Sequence, residues 1–465
     1  MAAAGATRAI VSLGWPMFVG QLAVMANGII DTMMAGHLSA RDLASVAIGS
    51  SIYFVVFVGL MGTLQAISPV AAQHYGAGRL REVGETWRQG QWLAAALLVP
   101  GAAMLAFPQP LLALADTEAG VRTGAASYLQ AVALGLPAAL WFRAFSTLNV
   151  AVSRPRTVMA INLVGLALKV PLNTLLMYGS DAPAVFGLPA VPAMGGAGCG
   201  LATAVVFWLS AAVGFVLLRR GRFYRRFAMR GLGRPRRAPL AELARLGLPI
   251  GGIYLIDVSA FNVVTLLVAG FGTDVVGGHA IAANVAATLY MLPLALSGAA
   301  GVLAGQALGR DDPVEARAIA LRGIGLVLGL ALLGALALAF GRGPLSRAYS
   351  DAPGVAAVAA TLLAWVAIYH LVDALQCALA FALRAWKVAV LPMVVFAVSL
   401  WGVGLGGGWW LAVGLSLGAP GFWMAAIAAL TLASAGLAML FVRTTHVADR
   451  TGDPGAKSAA GSAQP

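Results

Sequence analysis

Three aspartates and one lysine stand inside long apolar stretches of this sequence: Asp31, Asp257, Asp373 and Lys169. An ionisable group deep in hydrocarbon costs several kcal/mol by most estimates, and so marks function by default. Desolvation disfavours the charged form of a carboxyl group. An aspartate in such a place can therefore take up a proton, or hold a sodium ion with help from hydroxyl and carbonyl oxygens. Either event changes the local charge by one. A cationic substrate competing for the same carboxylate would then be exchanged for the ion.

Spacing groups these residues. At a helix rise of about 1.5 Å per residue, Asp257 lies roughly 16 Å into its apolar stretch, and Asp373 lies roughly 16 Å from the matching end of its own. Tyr369, four residues before Asp373, falls on the same helical face and can share a ligand with it. Asp31 is 15 residues past Pro16, whereas Asp257 is eight past Pro249. Asp31 should therefore lie roughly 10 Å nearer the outer face. Pro16 kinks its helix and frees a backbone carbonyl, with Gln21 near that kink. Asn173 stands one turn beyond Lys169 on the same face. A buried lysine needs a partner, and Asp31 is the acid available in that half, so an Asp31–Lys169 pair is expected.

Other chemistries find no support. The sequence shows no P-loop, no strand-borne GxGxxG, no HExxH, no CxxC and no acid-rich magnesium cluster at the end of an apolar stretch. Asp311-Asp312 reads as helix capping. The five histidines are scattered and read as interface or core residues. Cys199 and Cys377 sit within apolar stretches and suggest neither a disulfide scaffold nor a metal cluster. Tryptophans cluster near the ends of apolar stretches, as interfacial anchors do. Gly196 and Gly200 form a GxxxG step suited to close helix packing. No cofactor is expected beyond a coupling ion, Na+ or H+. For Na+, the candidate ligands are Asp257, Tyr369 and Asp373.

The elements that must position these residues follow from composition. In 465 residues, 60% are hydrophobic and 10% charged. Soluble domains run near 45–50% and about 25%, so a soluble protein is excluded, and so is a disordered one. A spanning helix needs about 20 apolar residues. Twelve such stretches occur, at approximately 9–36, 43–72, 87–110, 121–148, 157–179, 195–219, 246–272, 277–306, 317–341, 354–384, 387–411 and 419–442. The first is too long for a cleaved signal sequence and reads as a retained span.

The net charge of +13 is topological. Of the 30 cations, 24 fall in or beside the termini and alternate connections, four in or beside the opposite connections and two (Arg143 and Lys169) deeper within spans. The positive-inside rule then puts both termini in the cytoplasm. Nucleic acid is not an expected partner; membrane lipids are, with some contact at the arginine-rich stretch.

The chain divides into residues 1–218 with six spans, a basic connector at 219–245, residues 246–442 with six more, and a Gly/Ala/Ser/Pro-rich tail at 443–465 expected to be disordered. The halves repeat. Leu13-Gly14-Trp15-Pro16 answers to Leu246-Gly247-Leu248-Pro249, Gln73 to Gln306, and Gly76 to Gly309, all at an offset of 233. An even number of spans per half inserts both halves the same way up. The expected fold is all-α: twelve transmembrane helices in two six-helix lobes, related by a pseudo-two-fold along the membrane normal. Such duplication suits alternating access.

Several segments resemble the multidrug and toxic compound extrusion (MATE) transporters, in their NorM-like bacterial branch. Asp31–Ser51 (DTMMAGHLSARDLASVAIGSS) looks like the junction of that family's first two spans. Pro171–Gly179 (PLNTLLMYG) and Gly195–Trp208 (GGAGCGLATAVVFW) resemble its fifth and sixth spans. Leu246–Asp257 (LGLPIGGIYLID), Met291–Ala299 (MLPLALSGA) and Tyr369–Arg384 (YHLVDALQCALAFALR) resemble its second half. The resemblance implies a monomeric two-lobed antiporter of the bacterial inner membrane, not an enzyme, that exports small organic cations against Na+ or H+. It implies that Asp31 is the N-lobe acid, that Asp257 stands where glutamate is frequent, that Tyr369 and Asp373 belong to the C-lobe cation site, and that Asn173 is a fifth-span site residue. Lys169 departs from the pattern, since an asparagine is usual there. A fixed positive charge at that place shifts the expected coupling toward Asp257 and Asp373. The alternative class is a flippase for lipid-linked precursors, a related two-lobed fold. It would call for clustered cations, whereas the deep charges here are three acids and one lysine. An intramembrane enzyme or a scaffold explains the acids less well.

Overall fold

The computed structural model describes residues 3–113, 118–180, 190–229, 231 and 233–452. Among these the regular secondary structure is helix, apart from one isolated antiparallel bridge between Ser180 and Val191. The order is α1 (Ala3–Leu38), α2 (Ala40–Leu64), α3 (Ile67–Gly76), α4 (Leu80–Ala106), α5 (Gln109–Leu112), α6 (Ala119–Ala133), α7 (Leu136–Ala151), α8 (Pro155–Met177), α9 (Gly195–Arg220), α10 (Arg222–Arg225), α11 (Arg237–Val268), α12 (Thr273–Gly309), α13 (Pro313–Tyr349) and α14 (Pro353–Ala385). Next, α15 (Val390–Ala397) continues through π-helical turns at Val398–Gly406 and Trp410–Gly414 that flank α16 (Gly407–Trp409). The last helix is α17 (Ala419–Gly452). Residues 453–465, most of the tail expected to be disordered, lie outside the described residues.

Among the described residues eleven helical segments are long and apolar enough to cross a membrane, and α6 with α7, bent by 53°, brings the number to twelve. The bend departs from the single span expected at 121–148. Its cause is local. Pro137 at the start of α7 lacks the N–H that would continue the ladder. Gly135 at the elbow lies so close to α9 that a Cβ there would come 2.6 Å from the Ala204 Cα. The expected span at 43–72 is likewise interrupted between α2 and α3. Pro69 cannot donate to Gln65, four residues earlier, and a turn forms at Gln65-Ala66.

The described residues form two compact units. The first gathers Met1–Phe18, Ala72–Gly78 and Gly252–Pro465, and the second gathers Val19–Ala71 and Arg79–Gly251. Their limits differ from the half-chain limits at 218 and 246. The opening segment of each half, to two residues past its proline, belongs with helices of the other half. Packing at the repeated glycines gives the reason. On α1, a Cβ at Gly14 would come 2.7 Å from the Leu296 side chain of α12. On α11, a Cβ at Gly247 would overlap the carbonyl oxygen of Thr63 on α2. Gly14 and Gly247 are separated by 233 residues, and so are Thr63 and Leu296.

Within the first unit the repeated Gln and Gly residues meet each other. A Cβ at Gly76 would overlap the Gln306 backbone, and one at Gly309 would overlap the Gln73 backbone. The ends of α3 and α12 thus cross backbone to backbone. Gln73 Nε2 fastens the crossing by donating to the Ala385 carbonyl at 2.8 Å.

The basic connector is shorter and firmer than a 219–245 linker. Helix α9 runs to Arg220, α10 follows at once, and α11 begins at Arg237. The intervening chain is fastened to the second unit. Tyr224 OH donates to Asn149 Oδ1 at 2.6 Å, and the Arg154 guanidinium lies 3.7 Å from the centre of the Phe223 ring. Gln89 on α4 donates to the Arg234 carbonyl at 3.1 Å and accepts from the Arg236 N–H at 3.0 Å. The expected cap at Asp311-Asp312 is present, with Asp312 Oδ1 accepting from the Glu315 N–H at 2.8 Å.

Candidate functional site

In the first unit, α11 carries Asp257 and α14 carries Tyr369 and Asp373. Ile256 and Val372, the residues just before the two acids, pack on one apolar cluster with Ile253, Ala260, Phe396 and Leu430. That shared packing sets the stretches of α11 and α14 that carry the acids against one cluster. Tyr369 packs on the same cluster as Ile256 and Val372. Asp257 is exposed and Asp373 half-buried, and among the described residues neither forms an ion pair. Trp423 of α17 sets the Tyr369 ring edge-on, at 5.3 Å between centroids and 89° between planes. One turn past Asp373, Cys377 lies beside Tyr290 and Ser297 of α12. The arrangement offers two carboxylates and a phenol, with neither acid ion-paired among the described residues; the buried Arg384 comes as near as the Tyr254 hydroxyl, at 3.4 Å. It has the oxygen donors that suit a proton or Na+, beside aromatic faces that attract organic cations.

In the second unit, the spacing along α1 and α8 brings Asp31, Lys169 and Asn173 together. Lys169 Nζ is 2.9 Å from Asp31 Oδ1. Asn173 Nδ2 donates to the same oxygen at 2.8 Å. Lys169 Nζ also donates to Thr203 Oγ1 on α9, and Thr203 in turn donates to the Cys199 carbonyl at 3.1 Å. Lys169 is 1% exposed, Asn173 0% and Asp31 7%. The site is thus neutral overall, and its charges are spent on each other.

The remaining candidates are placed as follows. Pro16 and Pro249 lie inside α1 and α11, two residues before the points where the chain passes between units. Gln21 is half-buried on α1; its neighbour Gly20 offers a carbonyl to Asn162 Nδ2 at 3.3 Å. Gly196 and Gly200 pack α9 closely. A Cβ at Gly200 would come 2.6 Å from the Tyr128 carbonyl oxygen, and one at Gly196 would come 3.2 Å from Val46. Gly196 also donates its N–H to Asp42 Oδ1 at 2.9 Å, a role beyond packing. No cluster of three or more His, Cys, Asp or Glu side chains suited to a metal occurs among the described residues.

Sequence reasoning missed several neighbours of the acids. Cys377, four residues after Asp373, and Tyr254, three before Asp257, were accessible through helical spacing. Tyr290, Trp423 and Thr203 come from other helices and carry no local signal.

An internally duplicated, multi-pass helical membrane protein with acids inside its spans defines a class, that of secondary-transporter folds. Comparison with known proteins makes the assignment specific. The MatE family profile matches residues 16–175 and 249–410, two segments that begin 233 residues apart. The chain is 42% identical over 426 residues to the probable multidrug resistance protein NorM of Aromatoleum aromaticum, covering 90% of each. It is 33% identical to the multidrug resistance protein NorM of Vibrio cholerae, covering 91% of this chain and 93% of that one. Its fold matches the crystal structure of the Vibrio cholerae MATE transporter VcmN in the bent form, with a TM-score of 0.83 at 18% identity, over 96% of this chain and 98% of the other. The chain therefore belongs to the MatE family, as a NorM-like MATE transporter.

Proposed function

We propose that the chain is a secondary antiporter that exports cationic drugs and other toxic organic cations in exchange for Na+ or H+, by alternating access of its two halves. The observation that carries this reading is the group formed by Asp257, Tyr369 and Asp373: two acids inside the spans, flanked by residues of one apolar cluster on which Tyr369 also packs, with no ion-pairing partner among the described residues. An unpartnered acid in a span is costly unless it works on an ion. The relatives named as multidrug resistance proteins support the cargo class. In this reading the protein acts as a monomer in the bacterial inner membrane. The excess of Lys and Arg in the termini and alternate connections supports cytoplasmic termini.

The test uses the purified chain in liposomes, with ethidium as cargo and an imposed Na+ or pH gradient. Ethidium should move against its own gradient, driven by one of the two ions and collapsing when that ion is equilibrated. Equal movement with protein-free liposomes under both gradients would contradict the reading.

A further inference from the structure

We propose that Lys169 is a tethered cation that fills the carboxylate site of the second unit and keeps it closed to Na+ and to organic cations. The site is enclosed by α1, α8 and α9, and its polar groups are oriented around the ammonium. Lys169 Nζ holds Asp31 Oδ1 at 2.9 Å and donates to Thr203 Oγ1. Two amide oxygens on the same helices, α1 and α8, remain unused. Asn173 spends its Nδ2 on Asp31, and its Oδ1 is buried without a hydrogen-bond partner. Asn27, one turn before Asp31, spends its Nδ2 on the Ala23 carbonyl, and its Oδ1 is also buried without a partner.

Take the ammonium away and the same pocket presents a carboxylate, a hydroxyl and the Asn173 amide. Hard cations prefer such all-oxygen sets. With the ammonium present, the pair is neutral and exerts little net attraction on a second cation. A tethered group also competes at a high effective concentration against ions in solution. The side chain at position 169 thus decides whether this unit takes up a cation. In the antiport proposed above, which this consequence rests on, cation traffic is confined to Asp257, Tyr369 and Asp373.

Equilibrium binding of radioactive Na+ to the full-length purified chain at one fixed pH tests this without reference to export. The parent and Asp31→Asn should bind equal numbers of Na+ per chain. Lys169→Ala should bind one more than the parent, and Lys169→Ala combined with Asp31→Asn should lose that extra ion. Lys169→Gln, which keeps a neutral polar group of similar length, provides a second route should the alanine variant fold poorly. Its melting temperature should rise in NaCl relative to choline chloride, because a ligand that binds only the folded state stabilises it. The parent should show a smaller rise. The proposal is overturned by Lys169 variants that bind no more Na+ than the parent. It is overturned equally by a parent whose Na+ binding falls by one ion in Asp31→Asn. Transport failing in liposomes, with these binding results intact, would sink the antiport reading and leave this one standing.

Discussion

Asp31→Ala is expected to destabilise the protein by about 3–5 kcal/mol, the usual cost of removing one partner from a buried ion pair. The surviving ammonium of Lys169 is 1% exposed and would keep only Thr203. Asn173 would lose its acceptor as well. The size of the effect comes from the charge left behind, not from the strength of the pair. A matched test separates the two. Asp31→Leu combined with Lys169→Met removes both charges and should recover most of the loss, since apolar replacement of a whole buried pair is often neutral or stabilising. Thermal unfolding in detergent measures all three. An Asp31→Ala protein that melts with the parent would show that Lys169 finds water or another acceptor, and would remove the ion pair from the account of the second unit.

Gly309→Ala is the second substitution with a large expected effect. Its Cβ would overlap the backbone of Gln73, and the same holds for Gly76→Ala against Gln306. Backbone atoms cannot swing aside as a flexible side chain can, so the crossing of α3 and α12 must open. Overpacking of this kind costs about 1–3 kcal/mol, and occasionally more. The Gln73 bond to Ala385, at 2.8 Å, would be strained by the same movement. Gly325→Ala is the control. It lies in α13 with nothing within 4 Å of its Cβ position, and alanine there should gain roughly 0.5–1 kcal/mol of helix propensity. The expected order of melting temperature is Gly325→Ala at or above the parent and Gly309→Ala well below it. Equal melting of the two variants would contradict the close crossing.

The spans, their number and their repeat were legible because each is a long apolar run with charge at its ends, a signal carried by neighbouring residues. The offset of 233 marked residues that the fold does pair, Gln73 with Gly309 and Gly76 with Gln306. The sequence did not reveal that each half's opening segment joins the other unit. A leucine in contact at Gly14 and a threonine at Gly247 come from helices far along the chain, and apolar runs do not say which neighbour they meet. The bend between α6 and α7 was available in Gly135 and Pro137 but was overridden by the continuous apolar pattern. The Asp31–Lys169 pair could be anticipated because a buried lysine demands an acid and the first half offered one in its spans. Thr203 and Tyr290 could not, since hydroxyls in apolar helices are common and their partners lie on other helices.

Ethidium export from energised bacteria lacking their own pumps, expressing the parent or Asp373→Asn at matched membrane levels, reads out the role of the first unit's acids. Export by the parent and a fall to the empty-vector rate in the variant are expected, because one of the two acids of the site can then neither hold an ion nor draw a cation. Equal export by both would contradict the assignment of coupling to the first unit.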